Sequence, residues 1–230
     1  MRVTHPAMIA ARPLHFEAVS GAVSFGIISY DIIDWGGAVQ DPTGQSVTVP
    51  SGTSNVVALW SFWGSSSSDI SSITLNSASP DAGQSTAAPG GNATGVHVWN
   101  NPTTGSQTID VAWNVAPSNP YASFILIYVG AGDTSTNPTD VDSGHATLSS
   151  SVSRTLTTNV GDLVIMWDHD ANATAPSLPS GFTSLVTVDD AFSQGWSWRV
   201  SYIIAAGTSQ GCVTQDPNYS TLACCAIAEG

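Results

Sequence analysis

The sequence predicts an all-β protein: an antiparallel two-sheet β-sandwich of the jelly-roll kind, preceded by an extended N-terminal arm. Three observations carry this. No stretch holds a 3.6-residue apolar period through three turns. The segment "WSWRVSYII" places Trp196, Trp198, Val200, Tyr202 and Ile204 in alternation with Ser197, Arg199 and Ser201, the period of two that marks a half-buried strand. About twelve short strand-like runs are separated by turn signals at a spacing of roughly 8–15 residues, the rhythm of a sandwich or jelly roll.

Taken in order, residues 1–20 read as an extended arm and residues 21–230 as one sandwich domain. "VSFGIISYDII" (Val23–Ile33) is rich in β-branched and aromatic residues. "QSVTVP" (Gln45–Pro50) alternates and stops at a Pro-Ser-Gly turn, and "NVVALWSFW" (Asn55–Trp63) is a continuous apolar run suited to a central strand. After "SSSSD" comes "ISSITLN" (Ile70–Asn76), then a long polar segment, Ser77–Gly95, which reads as a loop. "VHVWN" (Val96–Asn100) leads through "NPTTG" into "SQTIDVAWN", with Ile109, Val111 and Trp113 on one face. "YASFILIYVG" (Tyr121–Gly130), "HATLSSSVSRTLTTN", "DLVIMWD" (Asp162–Asp168) and "FTSLVTVDD" (Phe182–Asp190) follow, and "TLACCAIAEG" reads as a last strand. A weak echo links "VTVPSGTSNVVALWSFW" to "TLTTNVGDLVIMWDHD": a β-branched strand, a polar turn with Gly, then a run ending in Trp. It reads either as the symmetry of two sheets or as a repeat.

Composition narrows the function. The chain has 230 residues, 42% hydrophobic and only 9% charged, with a net charge of −13 from 17 acids against four Arg and no Lys. There is no basic stripe to neutralise phosphates, so nucleic acid is excluded as a partner, and anionic membrane surfaces are disfavoured for the same reason. The negative charge reads as a solubility charge. No apolar stretch suits a secretory leader or a membrane span, since Pro6 and Pro13 break the first dozen residues. Cys212, Cys224 and Cys225 are odd in number and lack CxxC spacing, so free buried thiols are expected, and a zinc site is not. A bridge from Cys212 to either neighbour would need oxidising conditions.

The order of "VTVPSGTSNVVALWSFW", "ISSITLN", "GVHVWNNPTTGSQTIDVAWN", "ASFILIYVGA" and "VGDLVIMW", over about residues 45–205, resembles a jelly-roll β-sandwich module of bacteriophage virion proteins and bacterial surface proteins. The likeness is a packing pattern with no catalytic signature. It implies a structural role: a head-decoration (cement) protein, a head fibre or a tail accessory protein, made in the host cytoplasm and carried on the virion.

Four features compete as sites. Asp168-His169-Asp170 ends a hydrophobic run. Alternation puts Asp168 and Asp170 on one face and His169 on the other, which suits calcium better than zinc or catalysis, and the expected environment is a solvated strand end running into an acidic loop. Asp189-Asp190 are adjacent, so they face apart and make a poor acid–base pair. The five histidines have no ligand spacing, and His97 is expected to meet solvent or a partner. Among the eight Trp, core packing is expected for Trp60, Trp113, Trp196 and Trp198, while Trp35, in the turn-like "DWGG", is the candidate exposed contact for a glycan or partner.

The expectation is therefore a non-enzymatic capsid decoration protein that binds the major capsid protein and neighbouring copies of itself, with a trimer as one option. Its arm contacts are Arg2, His5, Met8, Ile9, Arg12 and Leu14. No cofactor is expected, and calcium at Asp168 and Asp170 is the one metal considered. The alternative is a carbohydrate-binding module of a phage tail or bacterial surface protein.

Overall fold

Antiparallel strands with one wet face alternate in sequence, whereas strands covered on both faces read as unbroken apolar runs. Four such runs occur here, and each is an interior strand with a layer on either side. The computed structural model describes residues 25–36, 44–63, 70–87, 92–113, 121–135, 138–145, 151–170, 174–191, 196–214 and 220–230. Among them are fifteen strands and no helix. The first eight are β1 (Gly26–Gly36), β2 (Gln45–Val49), β3 (Thr53–Trp63), β4 (Ile70–Leu75), β5 (Ala82–Ala87), β6 (Asn92–Asn100), β7 (Gly105–Trp113) and β8 (Tyr121–Gly130). The remaining seven are β9 (Asp140–His145), β10 (Ser153–Thr157), β11 (Leu163–Asp170), β12 (Thr183–Ala191), β13 (Trp196–Ile204), β14 (Ser209–Val213) and β15 (Thr221–Ile227).

These strands make four antiparallel sheets, in the orders β2-β7-β4, β1-β8-β3-β6-β5, β12-β13-β11-β15-β9 and β10-β14. Three hydrophobic clusters join them into a stack. The first packs Val47, Val49, Ile73, Leu75, Ile109 and Val111 of the three-stranded sheet on Val56, Ala58, Trp60, Phe62, Phe124 and Leu126. The second lies between the two five-stranded sheets and sets Val57, Leu59, Ile125 and Ile127 against Ile165, Trp167, Val200 and Cys225. The third sets Val164, Met166, Leu222 and Cys224 against Val152, Leu156 and Cys212 of the two-stranded sheet. The middle strands β3, β8, β11 and β15 therefore feed two clusters each, which is why their sequences do not alternate.

The stack is a duplication. Replacing β1, β8, β3, β6, β5 by β9, β15, β11, β13, β12 converts one five-stranded sheet into the other, and β2, β7 correspond to β10, β14. Only β4 has no counterpart among the described strands. Local detail follows the same rule. The turn before β3 has Thr53 N–H donating to Pro50 O at 3.3 Å with Gly52 at φ 84°, and the turn before β11 has Asp162 N–H donating to Asn159 O at 3.2 Å with Gly161 at φ 100°. Both turns need a left-handed residue, which glycine adopts without strain. Ladder registers equate Val57 with Ile165, Leu59 with Trp167, Val96 with Val200 and Ile127 with Cys225. All eight lie in the central cluster. The halves thus meet through the same face of each, the internal equivalent of an isologous dimer interface. Their ends close together as well: Asp133 N–H donates to Ala228 O and Gly230 N–H to Ala131 O, both at 2.9 Å.

The all-β, antiparallel expectation holds, with four sheets among the described strands in place of two. Other expectations change. The polar segment 77–95 contains β5 and the start of β6, with Ala93, Thr94 and Gly95 buried. Trp35 is in β1, paired with Ala122, and not in a turn. "HATLSSSVSRTLTTN" divides between the ends of β9 and β10. The arm residues Arg2, His5, Met8, Ile9, Arg12 and Leu14 lie outside the described residues.

Candidate functional site

The duplication allows one position to be compared in two chemical versions. On the outer face of the first five-stranded sheet, Trp60 sits opposite Gly95 on β6 and Phe124 on β8. At the equivalent place in the second half, Asp168 sits opposite Arg199 on β13 and Leu222 on β15. Two residues on, Phe62 becomes Asp170, and on the neighbouring strand His97 becomes Ser201.

The first version is aromatic. Trp60 is fully buried and stacks on Phe62 at 5.8 Å and Phe124 at 6.0 Å between ring centroids. Its indole N–H donates to His97 Nδ1 at 3.2 Å, which leaves His97 its proton on Nε2. Burial pushes His97 down to about 4, so the ring is neutral near pH 7. His97, expected to meet solvent or a partner, is half-buried, with one ring nitrogen turned to the Trp60 indole. Gly95 is required beneath the stack, because a Cβ there would run into the Trp60 ring.

The second version is charged. Asp168 and Asp170 are each 1% exposed, and Ser197 and Ser201 beside them are fully buried. The expected solvated loop is therefore a covered strand end: β11 is central, and β13 and β15 flank it through His169. The alternation expected for these three residues does hold. His169 lies on the other face with Trp167, which stacks on Trp198 at 4.5 Å. Thr221 Oγ1 is 3.4 Å from His169 Nδ1, and complete burial pushes His169 down to about 3.

Chemically, two carboxylates two residues apart on one strand face stand about 7 Å apart, within the range of paired acids in glycoside hydrolysis. At 1% exposure neither can reach a substrate from solvent. Among the described residues no group of three or more His, Cys, Asp or Glu is placed to hold an ion. Arg199 lies directly across the ladder from Asp168. Asp189 accepts a hydrogen bond from Ala175 N–H at 2.7 Å and so serves the chain between β11 and β12.

A second candidate is the seam between the halves. Beside β1 a groove of about 430 Å³ opens, lined by Phe25, Ile28, Tyr30, Leu185, Tyr202 and Ile204. At the pseudo-symmetric seam, Thr86 of β5 and Ser143 of β9 are joined by a hydroxyl hydrogen bond of 2.8 Å. Trp60, Trp99, Trp167 and Trp198 are all at most 3% exposed, so none of these four offers a sugar platform. Trp60 and Trp198 meet the core expectation; the side chains of Trp35, Trp113 and Trp196 lie outside the described set. In the sequence Arg199 stands out only as part of the polar phase of β13. The hint to its role is scarcity: beyond Arg2 and Arg12, the chain has only Arg154 and Arg199.

No protein-family model, no curated protein and no solved structure matches the chain.

Proposed function

We propose that this protein is a non-enzymatic structural component of a virion, a decoration (cement) protein that binds the major capsid protein lattice and stabilises the head. We also propose that each half is a jelly roll. The strand orders support the second point: β1-β8-β3-β6 faces β2-β7-β4, and β9-β15-β11-β13 faces β10-β14, with β5 and β12 added to the edges of the larger sheets. The observation that carries the first is the burial of Asp168 and Asp170 at 1%. The chain's best acid pair is part of the interior, and three stacked clusters fill the layers with side chains, as a load-carrying body requires. The arm, residues 1–20, supplies the capsid contacts in this reading, with the acidic body outward.

The test is quantitative recovery. Virions purified by density gradient from the producing culture should carry the protein at a copy number that is a simple fraction of the capsid protein. A protein lacking residues 2–20 should keep its β circular dichroism and lose binding to undecorated particles. Absence from purified particles, or full binding by the truncated protein, overturns the reading.

A further inference from the structure

We propose that Cys212 and Cys224 are a disulfide cross-link site, the pair that a low-molecular-weight disulfide oxidant joins, with Cys225 left as a thiol. The sequence offers Cys212 two partners, and the fold selects between them. Adjacent strand residues point to opposite faces: Cys224 enters the third cluster together with Cys212, and Cys225 enters the second. Two ladders then bring the first two together across the layers. Cys212 lies opposite Arg154 in the β14–β10 pair, and Cys224 lies opposite Asp142 in the β15–β9 pair. Directly opposed residues share a face, and Arg154 Nε reaches Asp142 Oδ1 at 3.4 Å, closing the gap between the two sheets beside the cysteines. Arg154 also covers Gly144, where a Cβ would meet its guanidinium, and its Nε donates to Ser143 O at 2.9 Å. Within that frame the two thiols share the third cluster, and the Cys224 thiol donates to Asp142 O at 3.7 Å. A bridge between them closes the two sulfurs to about 2.05 Å.

The chemistry is ordinary exchange. One cysteine thiolate attacks the S–S bond of oxidised glutathione and releases one glutathione thiolate. The second cysteine attacks the mixed disulfide and releases the other. Two electrons pass to the oxidant, and the two cysteine protons end on the two released thiols. Both cysteines are fully buried, and contact with Cys212 followed by burial raises the Cys224 thiol. Reaction in the closed fold is therefore slow. It proceeds while the β10–β14 layer is open, before it docks or during local opening, since a two-stranded sheet has little stability of its own. Once made, the bond pins the outermost layer of the second half to the sheet beneath it.

The experiment is a thiol count. Protein refolded in a glutathione redox buffer, then unfolded, should show one reactive thiol in place of three. Cys225→Ala should fall from two thiols to none, while Cys212→Ala and Cys224→Ala should keep both of theirs. In the unsubstituted protein, which does not depend on any variant folding, alkylation of the surviving thiol and fragmentation should place the label on Cys225. A label on Cys224, loss of both thiols in Cys224→Ala, or three thiols after oxidation overturns the proposal.

Discussion

The outer faces of β3 and β11 are the same surface built twice, once from Trp60 and Phe62 and once from Asp168 and Asp170. Both are covered, yet they are held by different physics. In the first half a third outer strand, β4, adds Ile73 and Leu75 to the cluster that holds the aromatic stack, and burial of apolar area stabilises it. In the second half no β4 counterpart occurs among the described strands, and the same place holds carboxylates, hydroxyls and an arginine. A polar cluster of this kind contributes little net stability when complete and costs much when broken. The lesson is that one backbone tolerates either an apolar or a charged plug, and that the outer layer above it differs accordingly.

Four measurements would break or sharpen that comparison. The largest effect is expected for Trp60→Ala, about 3–5 kcal/mol of lost stability from a buried aromatic, against about 1–3 kcal/mol for Asp168→Asn, which alters hydrogen bonding without removing volume. Chemical denaturation would show both, and equal losses would remove the distinction between the two plugs.

Acid should come next. The folded values of His97 and His169, about 4 and about 3, lie below the ordinary 6.5, so the fold favours the neutral rings. Their contribution is complete above about pH 6.5 and is lost as pH falls towards the folded values. Each histidine should cost about 2 kcal/mol by pH 5, at about 1.4 kcal/mol per unit. His97→Gln should flatten the pH dependence of the denaturation midpoint; an unchanged slope would show that burial does not hold His97 neutral.

Gly95→Ala should cost about 1–3 kcal/mol by overpacking against the Trp60 ring, and less in a Trp60→Leu background, because the two sites share one contact. Additive losses would mean that the close approach of Gly95 and Trp60 is not the cause. The smallest effect is expected from calcium: melting temperatures with excess calcium and with chelator should coincide, since Arg199 stands opposite Asp168. A calcium-dependent rise would place a cation between Asp168 and Asp170 and return metal binding to the second half.

Much of the strand framework is legible in the residue pattern. The runs in β3, β8, β11 and β15 and the alternation of β13 follow from side-chain period alone. The elements that the pattern does not reveal are β5, β9 and β14: "AGQSTA", "DVDSGH" and "SQGCV". These are rich in small or polar residues with weak strand preference, and they become strands because β6, β15 and β10 offer them a ladder. Unbroken apolar runs are also the signature of strands covered on both faces, since a sandwich of two sheets leaves its outer faces wet and its strands alternating.

The sequence by itself determined the all-β class, the scarcity of basic residues, and the splitting of Asp168 and Asp170 from His169, because all three depend on local period or on composition. Tertiary structure decided the rest. Burial of the acid pair is imposed by neighbours remote in the chain, as is the neutrality of His97 beneath the Trp60 indole. So too are the division of Cys224 from Cys225 between two cores and the pairing of halves whose sequences barely resemble each other. Those properties belong to contacts between distant segments, and no single segment carries them.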